Sequence, residues 1–339
     1  MSATIENALA HARQPFAIPG QASPHAGAWL ATFDALTLPV LAWGPVQRFR
    51  TTVAESDLLI TCVGLRRRFM DLLEGLFGNV EYVGRALPRR SWQPDRLSRI
   101  ESDGLLVEVH RWFVPRFRRA GWLIVPESVR WVQEMRDLPA PHPSKSLRSD
   151  MAKLKKHAYV MEEADSDADW HDFFERMLLP HARARFEDRA QLPNRYTLRQ
   201  LRGAGQLLFV KRGDVRVAGG CVLPAGSRAL FERLGVRDGD ERLLREGALS
   251  ALYLLTFEWA RAQGYDRFDA GTTLPFPDDG LALFKTKFGL APAPDPLAFS
   301  TGFLVRRGST LAEALRRRPV FCLTDDRVEV FAGDAGGSA

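Results

Sequence analysis

The amino-acid sequence predicts an α/β protein of the α+β kind, in which antiparallel strands precede a strand–helix–strand unit. Three observations lead to this prediction. Residues 206–236 hold three strand-like segments separated by short turns, and an uncharged helical segment and a further short strand follow them, up to residue 270. A weaker strand–helix–strand order occurs at residues 58–84. A proline-rich segment at residues 137–143 separates the two regions, so we expect two domains.

The composition is typical of a soluble globular protein. The chain has 339 residues, of which 45% are hydrophobic and 26% charged, and this length is enough for two domains. The N-terminus has no apolar signal segment and no stretch is long enough for a membrane helix, so we expect a cytoplasmic protein. Cys62, Cys221 and Cys322 lie far apart and are odd in number, which predicts buried free thiols. No histidine or cysteine spacing predicts a metal site.

The N-terminal half is predicted to consist of a loosely ordered arm, residues 1–37, and an α/β domain, residues 38–136. In this domain the apolar run Leu58–Gly64 indicates a strand, and a helix follows from Leu65 to Phe77. A short strand at Val80–Val83 completes a unit that faintly resembles the later one. Further strands are expected within residues 104–113 and 121–135. The linker, residues 137–143, is expected to be extended because three of its seven residues are prolines.

The C-terminal domain, residues 144–306, is predicted to begin with a basic helix that Ser144 or Ser146 caps. Its apolar stripe contains Leu147, Met151 and Leu154. An aromatic-faced helical segment is predicted at residues 165–186, and three antiparallel strands follow at Gln206–Lys211, Val215–Leu223 and Arg228–Val236. A late strand is predicted at Phe299–Val305. The last helix, strand and tail occupy residues 307–339, and a capping box at Thr310–Glu313 begins the helix.

The stretch from Leu244 to Gly289 is the most informative part of the chain. It begins with a helix that has no charge from Gly247 to Phe257, and this helix is expected to be buried, with one apolar face: Leu249, Leu252, Tyr253, Phe257 and Ala260. A strand at Tyr265–Ala270 runs into a Gly-Thr-Thr turn. Asp278 or Asp279 can then cap a second helix that buries Leu281, Phe284 and Phe288. Polar groups at a strand end are typical of ligand sites in open α/β sheets.

Two motifs in this stretch resemble a known signature. FDAGTT at residues 268–273 and GLALFKTKFG at residues 280–289 resemble the signature of Fem-type acyltransferases, which are related to the GCN5-related N-acetyltransferases (GNAT). The resemblance covers about Ser144 to Arg306. It implies a GNAT-like fold, with a degenerate second GNAT-like half at the N-terminus. It also implies that the strands Arg228–Val236 and Tyr265–Ala270 splay apart and admit an acyl donor.

The resemblance implies an N-acyltransferase with a small-molecule amine as acceptor. Lys285 would bind a phosphate or stabilise the oxyanion, and Phe284 would help to shape the pocket. The alternative for Lys285 is a solvated helix residue, as we expect Lys287 to be. Asp269 would accept a proton or bind the amine, or would instead cap the turn through an Asx-type hydrogen bond.

Three further residues, Gly271, Thr272 and Thr273, are expected to bind substrate through the turn that they form. The threonines are more suited to hydrogen bonding than to nucleophilic attack, and direct transfer without a covalent enzyme intermediate is expected. No serine or cysteine has an evident histidine partner in the sequence.

The donor is expected to be an acyl thioester, bound to CoA or to a carrier protein, with no tightly bound cofactor. GNAT enzymes resemble one another in a (Q/R)-x-x-G-x-(G/A) loop that binds the CoA pyrophosphate at a helix start. Here Gly247 is kept, with Ala248 after it, but Leu244 and Leu249 replace the first and last motif residues. Arg242 or Arg245 can still reach a phosphate, whereas Glu246 is unfavourable for an anion.

Two alternatives follow from the degraded loop and from the charge. The net charge is +6, and basic patches occur at Arg111–Arg119 and Ser144–His157, either of which can be a solvated face. The first alternative is a Fem-type transferase that uses aminoacyl-tRNA, bound through the basic helix Lys145–Lys156. The second is a non-catalytic binding protein with the same fold. No DNA partner is predicted, and the sequence does not determine an oligomeric state.

Overall fold

The computed structural model describes residues 43–53, 56–64, 66–90, 93–186, 201–295, 300–305, 309–325 and 327–333. The predicted arm, residues 1–37, lies outside the described residues. Among the described residues, a first compact unit comprises Val132–Gly271 and Lys285–Ala291. A second unit comprises the residues before Val132, Thr272–Phe284 and the residues from Pro292 onward. Both units are therefore discontinuous in sequence.

The strands follow one another along the chain in the following order. They are β1 (Trp43–Val53), β2 (Ser56–Val63), β3 (Glu81–Arg90), β4 (Gly104–Val109), β5 (Leu123–Pro126), β6 (Val129–Glu134), β7 (Tyr159–Ala164), β8 (Gln206–Arg212), β9 (Val215–Ala225), β10 (Arg228–Val236), β11 (Arg267–Thr273), β12 (Ala291–Pro294), β13 (Ser300–Leu304), β14 (Val320–Thr324) and β15 (Arg327–Phe331).

The α-helices are interspersed with these strands. They are α1 (Arg66–Phe77), α2 (Pro94–Leu97), α3 (Val114–Arg119), α4 (Lys145–Lys156), α5 (Asp167–Phe173), α6 (Leu179–Phe186), α7 (Glu241–Arg245), α8 (Ala248–Ala262), α9 (Gly280–Lys287) and α10 (Thr310–Arg317), and a π-helical turn at Phe174–Leu178 joins α5 to α6. Among the described helices, none is long and apolar enough to cross a membrane.

The first unit is built on a mixed sheet with the strand order β12-β6-β11-β10-β9-β8-β7. Strands β6, β11 and β12 have residues in both units. Strands β7 to β10 pair in antiparallel fashion, and β11 is parallel to β10. Parallel neighbouring strands need a crossover connection. Helix α8 lies in the connection from β10 to β11. The predicted GNAT-like order of antiparallel strands, central helix and parallel strand is thus confirmed.

The end of β11 differs from the predicted turn. The strand continues through Gly271, Thr272 and Thr273 instead of ending at Ala270. Gly271 has a φ of +70°, a left-handed conformation that glycine adopts easily. The sequence motif therefore marks a distortion within a strand, and the strand itself runs three residues further than predicted.

Helix α8 is buried around most of its circumference, which explains its uncharged sequence. Four of the five predicted face residues are buried, but Leu249 is only half-buried. The helix packs on the sheet through aromatic rings. Phe257 meets Phe268 of β11 edge-on with ring centroids 4.7 Å apart, and Tyr253 stacks on Phe288 at 5.0 Å. Such pairs add a geometric preference to the burial of apolar area.

The α5–α6 segment covers another part of the sheet, and its predicted core face is confirmed. Trp170, Phe173, Phe174, Met177 and Leu178 are all buried, in a cluster that includes residues of β8, β9 and β10. The approach is closest at Gly235 of β10, where an added Cβ atom would lie 2.4 Å from the carbonyl oxygen of Met177. Only glycine permits this backbone contact.

The proline-rich segment, predicted to be an extended linker, makes specific contacts within the first unit. Leu138 is buried, and the Arg261 guanidinium of α8 donates hydrogen bonds to the carbonyl oxygens of Met135 (3.1 Å) and Leu138. The Ala140 N–H donates to the carbonyl oxygen of Phe288 at 2.8 Å. Hydrogen bonds of its own backbone groups with Arg261 and Phe288 therefore fix the position of the segment within the first unit.

The second unit contains a six-stranded sheet with the order β3-β1-β2-β4-β13-β5. The parallel neighbour of β2 is β4, not the strand at Val80–Val83 that the sequence echo suggests; that region belongs to β3, which pairs with β1. Strand β13, predicted in the C-terminal domain, pairs with β4 and β5 in this unit. Long-range pairing of this kind is not encoded in any local pattern.

The last helix of the second unit begins one residue away from the predicted cap. The side-chain oxygen of Ser309 accepts a hydrogen bond from the N–H of Ala312 at 3.2 Å, so Ser309 is the N-cap and Thr310 is the first helical residue. Both residue types cap well. The predicted capping box at Thr310–Glu313 is therefore wrong by one position.

Candidate active site

The pairing between β10 and β11 stops after a short distance. Their parallel register covers three residue pairs, Arg228–Arg267, Ala229–Phe268 and Leu230–Asp269. Beyond these pairs each strand contains a left-handed residue: Arg233 in the bulge of β10, with φ +42°, and Gly271 in β11. Such residues disrupt the regular alternation of a strand. We call the region beside β10 and residues 270–271 of β11, beyond the last ladder pair and within the first unit, the strand gap.

Asp269 lies at the last pair before the strand gap, and it is 1% exposed. Its Oδ1 atom accepts a hydrogen bond from the Gly271 N–H at 3.0 Å, which is the Asx-type contact that the sequence analysis names as the alternative. The Arg228 guanidinium contacts Oδ2 at 3.3 Å. These contacts give Asp269 a structural role at the start of the gap. Its part in proton transfer or amine binding stays a prediction.

Lys285 lies on the buried face of α9 and is 3% exposed. The buried positions of this helix are Ala282 and Lys285, and Phe288, directly after the helix, is buried too. Leu281 is 37% exposed and Phe284 is half-buried. The predicted face of Leu281, Phe284 and Phe288 is therefore wrong for Leu281 and confirmed for Phe288. The stacking of Phe288 on Tyr253 sets the rotation of the helix, and the residue one turn earlier is Lys285. The solvated alternative for Lys285 is excluded.

Lys287 is not a solvated lysine either, which contradicts the prediction. Its Nζ atom lies 2.5 Å from Oδ2 of Asp150 in α4 and 3.3 Å from Oγ of Ser250 in α8. The Ser250 hydroxyl donates to the same Asp150 oxygen at 2.8 Å. The side chain of Lys287 is 15% exposed. We call these three residues the Asp150–Ser250–Lys287 cluster.

Asp150 is not among the residues predicted from the sequence, although one signal was present. Asp150 lies between Leu147 and Met151 on the apolar stripe of α4, where a solvated carboxylate is not expected. A charged residue at a core-facing position indicates a buried partner. The sequence does not indicate which cation or hydroxyl that partner is, since Lys287 is 137 residues away.

The residues expected to bind a CoA pyrophosphate form a helix and a charged cluster. Arg242 and Arg245 belong to α7, and Arg245 pairs with Glu241 at 3.2 Å. The Glu246 carboxylate accepts hydrogen bonds from Arg242 (2.9 Å) and from Arg212 of β8 (2.6 Å). The hydrogen bonds from Arg242 and then Arg212 lower the pKa of Glu246.

The start of α8 is covered by the chain itself. Gly247 is buried in a left-handed conformation, with φ +86°, and Ala248 is fully buried. An added Cβ at Gly247 would lie 3.2 Å from Cδ of Lys153 in α4. The N–H of Gly247 donates a hydrogen bond to the carbonyl oxygen of Leu244 at 3.0 Å. These residues therefore do not fit the pyrophosphate of CoA in the arrangement that the structure shows.

Three of the predicted site residues belong to the second unit. Thr273 is buried, accepts a hydrogen bond from the Trp131 indole N–H at 2.9 Å and donates to the carbonyl oxygen of Leu274 at 3.0 Å. Its hydroxyl is thus used within the fold. Thr272 is exposed and Phe284 is half-buried. Their roles in substrate binding stay predictions.

The described cysteines are poor candidates for nucleophiles. Cys62, Cys221 and Cys322 are free and buried, as predicted. Burial raises the pKa of each thiol, to about 11 for Cys322. They therefore remain protonated near neutral pH, whereas the thiolate is the reactive form.

His181 on α6 is a buried titratable group that the sequence analysis did not single out. It is 6% exposed, and among the described residues its Nδ1 atom has no hydrogen-bond partner. Burial, with a smaller contribution from Arg185, lowers the pKa of His181 to about 4. The imidazole is therefore neutral at pH 7.

Comparison with known proteins gives distant structural likenesses. The chain is similar to the structure of L-PGS from Bacillus licheniformis, with 11% identity, 83% of this chain and 91% of that chain covered, and a TM-score of 0.43. It is similar to the crystal structure of FemX, with 12% identity, 80% and 90% covered, and a TM-score of 0.41.

A third likeness is to a GCN5-related N-acetyltransferase from Kribbella flavida, with 15% identity, 59% of this chain and 67% of that chain covered, and a TM-score of 0.30. No protein-family model matches the chain, and no curated protein matches it in sequence. The similar structures thus include a Fem protein and a GNAT protein, the two groups that the sequence motifs resemble.

Proposed function

We propose that this protein transfers an acyl group from an activated donor to an amine in the strand gap. The observation that carries the proposal is the parallel ladder β10–β11, which stops after three residue pairs, at a buried carboxylate, Asp269. Where a parallel ladder stops, main-chain groups lose their ladder partners and can bind a ligand instead. The gap is within the first unit, as is Lys285.

The proposed reaction is a direct displacement. The amine nitrogen forms a bond to the donor carbonyl carbon, the bond from that carbon to the donor sulfur or oxygen breaks, and the proton of the amine ends on the departing group. Negative charge develops on the carbonyl oxygen in the transition state. Lys285, in its protonated form, would stabilise that charge more strongly than water does, because the surroundings of a buried group are less polar.

The test of this proposal compares two lysines of the same helix. Lys285→Met removes the ammonium but keeps an apolar stem, and we expect turnover to fall about 10²-fold or more with folding retained. Release of the donor's leaving group would be followed with a panel of amines. The matched control is Lys287→Met, which also removes a buried ammonium from α9. If turnover falls to the same extent in both variants, and only in proportion to their loss of stability, Lys285 is not catalytic.

The first candidate donor is an acyl thioester, on CoA or on a carrier protein. The second is an aminoacyl-tRNA, and one observation favours it. Helix α4 packs against the start of α8 through Asp150 and Ser250, and its other side exposes four cations: Lys145, Arg148, Lys155 and Lys156. Phosphates bound along this face would bring an RNA to the start of α8.

Salt dependence separates these donors. Binding of bulk tRNA and of acetyl-CoA would be measured between about 50 and about 200 mM salt. An RNA held by about six phosphates should lose about 10³-fold in affinity over this range, whereas one CoA should lose far less. Lys155→Ala with Lys156→Ala should lower the slope for RNA by about 2. Tight binding of acetyl-CoA without tRNA binding would favour the thioester, and binding of neither donor would favour a non-catalytic protein.

A further inference from the structure

A negatively charged side chain of the protein itself, that of Glu246, lies at the start of α8. The carboxylate of Glu246 accepts hydrogen bonds from two guanidinium groups, on Arg212 and Arg242. Arg212 ends β8 and Arg242 lies on α7, so the two cations reach Glu246 from different elements. The Glu246 side chain is 19% exposed, which limits the competition of water for these bonds.

We infer that Glu246 occupies the position that the phosphates of a CoA donor would need, so that the true donor carries no pyrophosphate to the start of α8. The inference concerns the donor of the proposed transfer and therefore rests on that function. It names the donor by its chemistry: an acyl ester or thioester in which the reactive carbonyl is not attached to a free nucleotide pyrophosphate.

The cationic side chains support this inference. A phosphate needs guanidinium or ammonium groups that are available to it. Arg242 and Arg212 are engaged by Glu246, and Arg245 is engaged by Glu241. An incoming phosphate would have to displace Glu246 and would also meet its negative charge at close range, which is repulsive.

The main-chain donors lead to the same conclusion. A helix start binds an anion through free N–H groups. Two N–H groups of the connection from α7 to α8 are already used: that of Glu246 donates to the carbonyl oxygen of Arg242 at 2.8 Å, and that of Gly247 to Leu244. The aliphatic stem of Lys153 lies over Gly247, at the position where backbone and phosphate would approach each other.

The experiment measures binding to the full chain, without an acceptor. Acetyl-CoA and inorganic pyrophosphate would be titrated by calorimetry into the wild-type protein and into Glu246→Gln. The variant keeps the size of the side chain but releases Arg212 and Arg242 from a charged partner. We expect the wild type to show no saturation up to about 1 mM of either ligand, and Glu246→Gln to bind pyrophosphate at least about tenfold more tightly.

The matched control is Glu241→Gln, which releases only Arg245, at the exposed end of α7, and should leave both affinities unchanged. A micromolar Kd of the wild type for acetyl-CoA would overturn the inference, and this measurement does not depend on how the variant folds. Equal pyrophosphate affinities of Glu246→Gln and wild type, with both folded by circular dichroism, would also overturn it. The proposed transfer would survive either result, since its own test is the turnover of the Lys285 variant.

Discussion

Removal of the Lys287 ammonium tests the least expected feature of the fold. Lys287→Met leaves Asp150 in place, with its side chain 10% exposed, and takes away the cation 2.5 Å from its Oδ2 atom. The sequence suggests a solvated lysine, whose replacement changes the free energy of unfolding by less than about 0.5 kcal/mol. The structure predicts a much larger change.

The magnitude follows from the contacts that remain. Removing one partner of a buried ion pair typically costs about 3–5 kcal/mol, because the other charge stays buried. Asp150 keeps the hydrogen bond from Ser250, and Nζ of Lys153 lies 3.9 Å from its Oδ1 atom. Both offset part of the loss. We therefore expect Lys287→Met to lower the free energy of unfolding by about 2–3 kcal/mol.

A double-mutant cycle separates the pair from the general loss of packing. Asp150→Asn with Lys287→Met removes both charges, and a neutral pair of similar size costs much less than one unpaired charge. The coupling energy between the two positions should be about 2 kcal/mol. Urea unfolding followed by tryptophan fluorescence measures each variant, with exposed Lys155→Met as the control on α4. A stability of Lys287→Met equal to that of the control would refute the buried pair.

Two further perturbations test the surroundings of the strand gap. The pKa of His181 is depressed to about 4, so the unfolded chain binds more protons below pH 6.5 and stability falls as pH falls. The loss should be about 2 kcal/mol between pH 7 and pH 5 in chemical unfolding, and it should vanish in His181→Leu but persist in exposed His142→Gln. Gly235→Ala places a Cβ against the Met177 carbonyl and should cost about 2–3 kcal/mol. The control is Gly203→Ala, in the helical residues 201–204, where an added Cβ meets no atom within 4 Å and should be neutral or slightly stabilising. Equal thermal midpoints for the two variants would show that the Met177 backbone moves to make room.

The local patterns of the sequence predicted the elements of the first unit well. The three antiparallel strands, the uncharged helix α8 and the aromatic face of the α5–α6 segment all occur within a few residues of their predicted positions. Asp279 accepts a hydrogen bond from the Leu281 N–H at 2.9 Å and is one of the two predicted caps. These features depend on the hydrophobic period and on turn residues, which act over a few neighbouring positions.

The candidate site was predicted only in part, and the errors have one physical origin. The motif identified Asp269 and Lys285, and both are buried. It did not indicate that Leu281 would be exposed or that Lys287 would be held by Asp150 and Ser250. A helix with apolar residues on several sides has no unique inward face in sequence. The neighbouring rings, here Tyr253 against Phe288, select the face.

The sequence by itself thus determined the order of β8, β9, β10, α8 and β11, the buried character of α8 and the position of the Gly-Thr motif after Asp269. Only the tertiary structure decided which strands are neighbours, as with β4 beside β2 and β13 beside β4. The tertiary structure also decided which charges pair. From the sequence, Glu246 is predicted only to disfavour a nearby phosphate, whereas in the fold it pairs with Arg212, which is 34 residues away in the chain. The reason is that periodicity and capping are local interactions, whereas strand pairing and buried ion pairs join positions that are close only after the chain has folded.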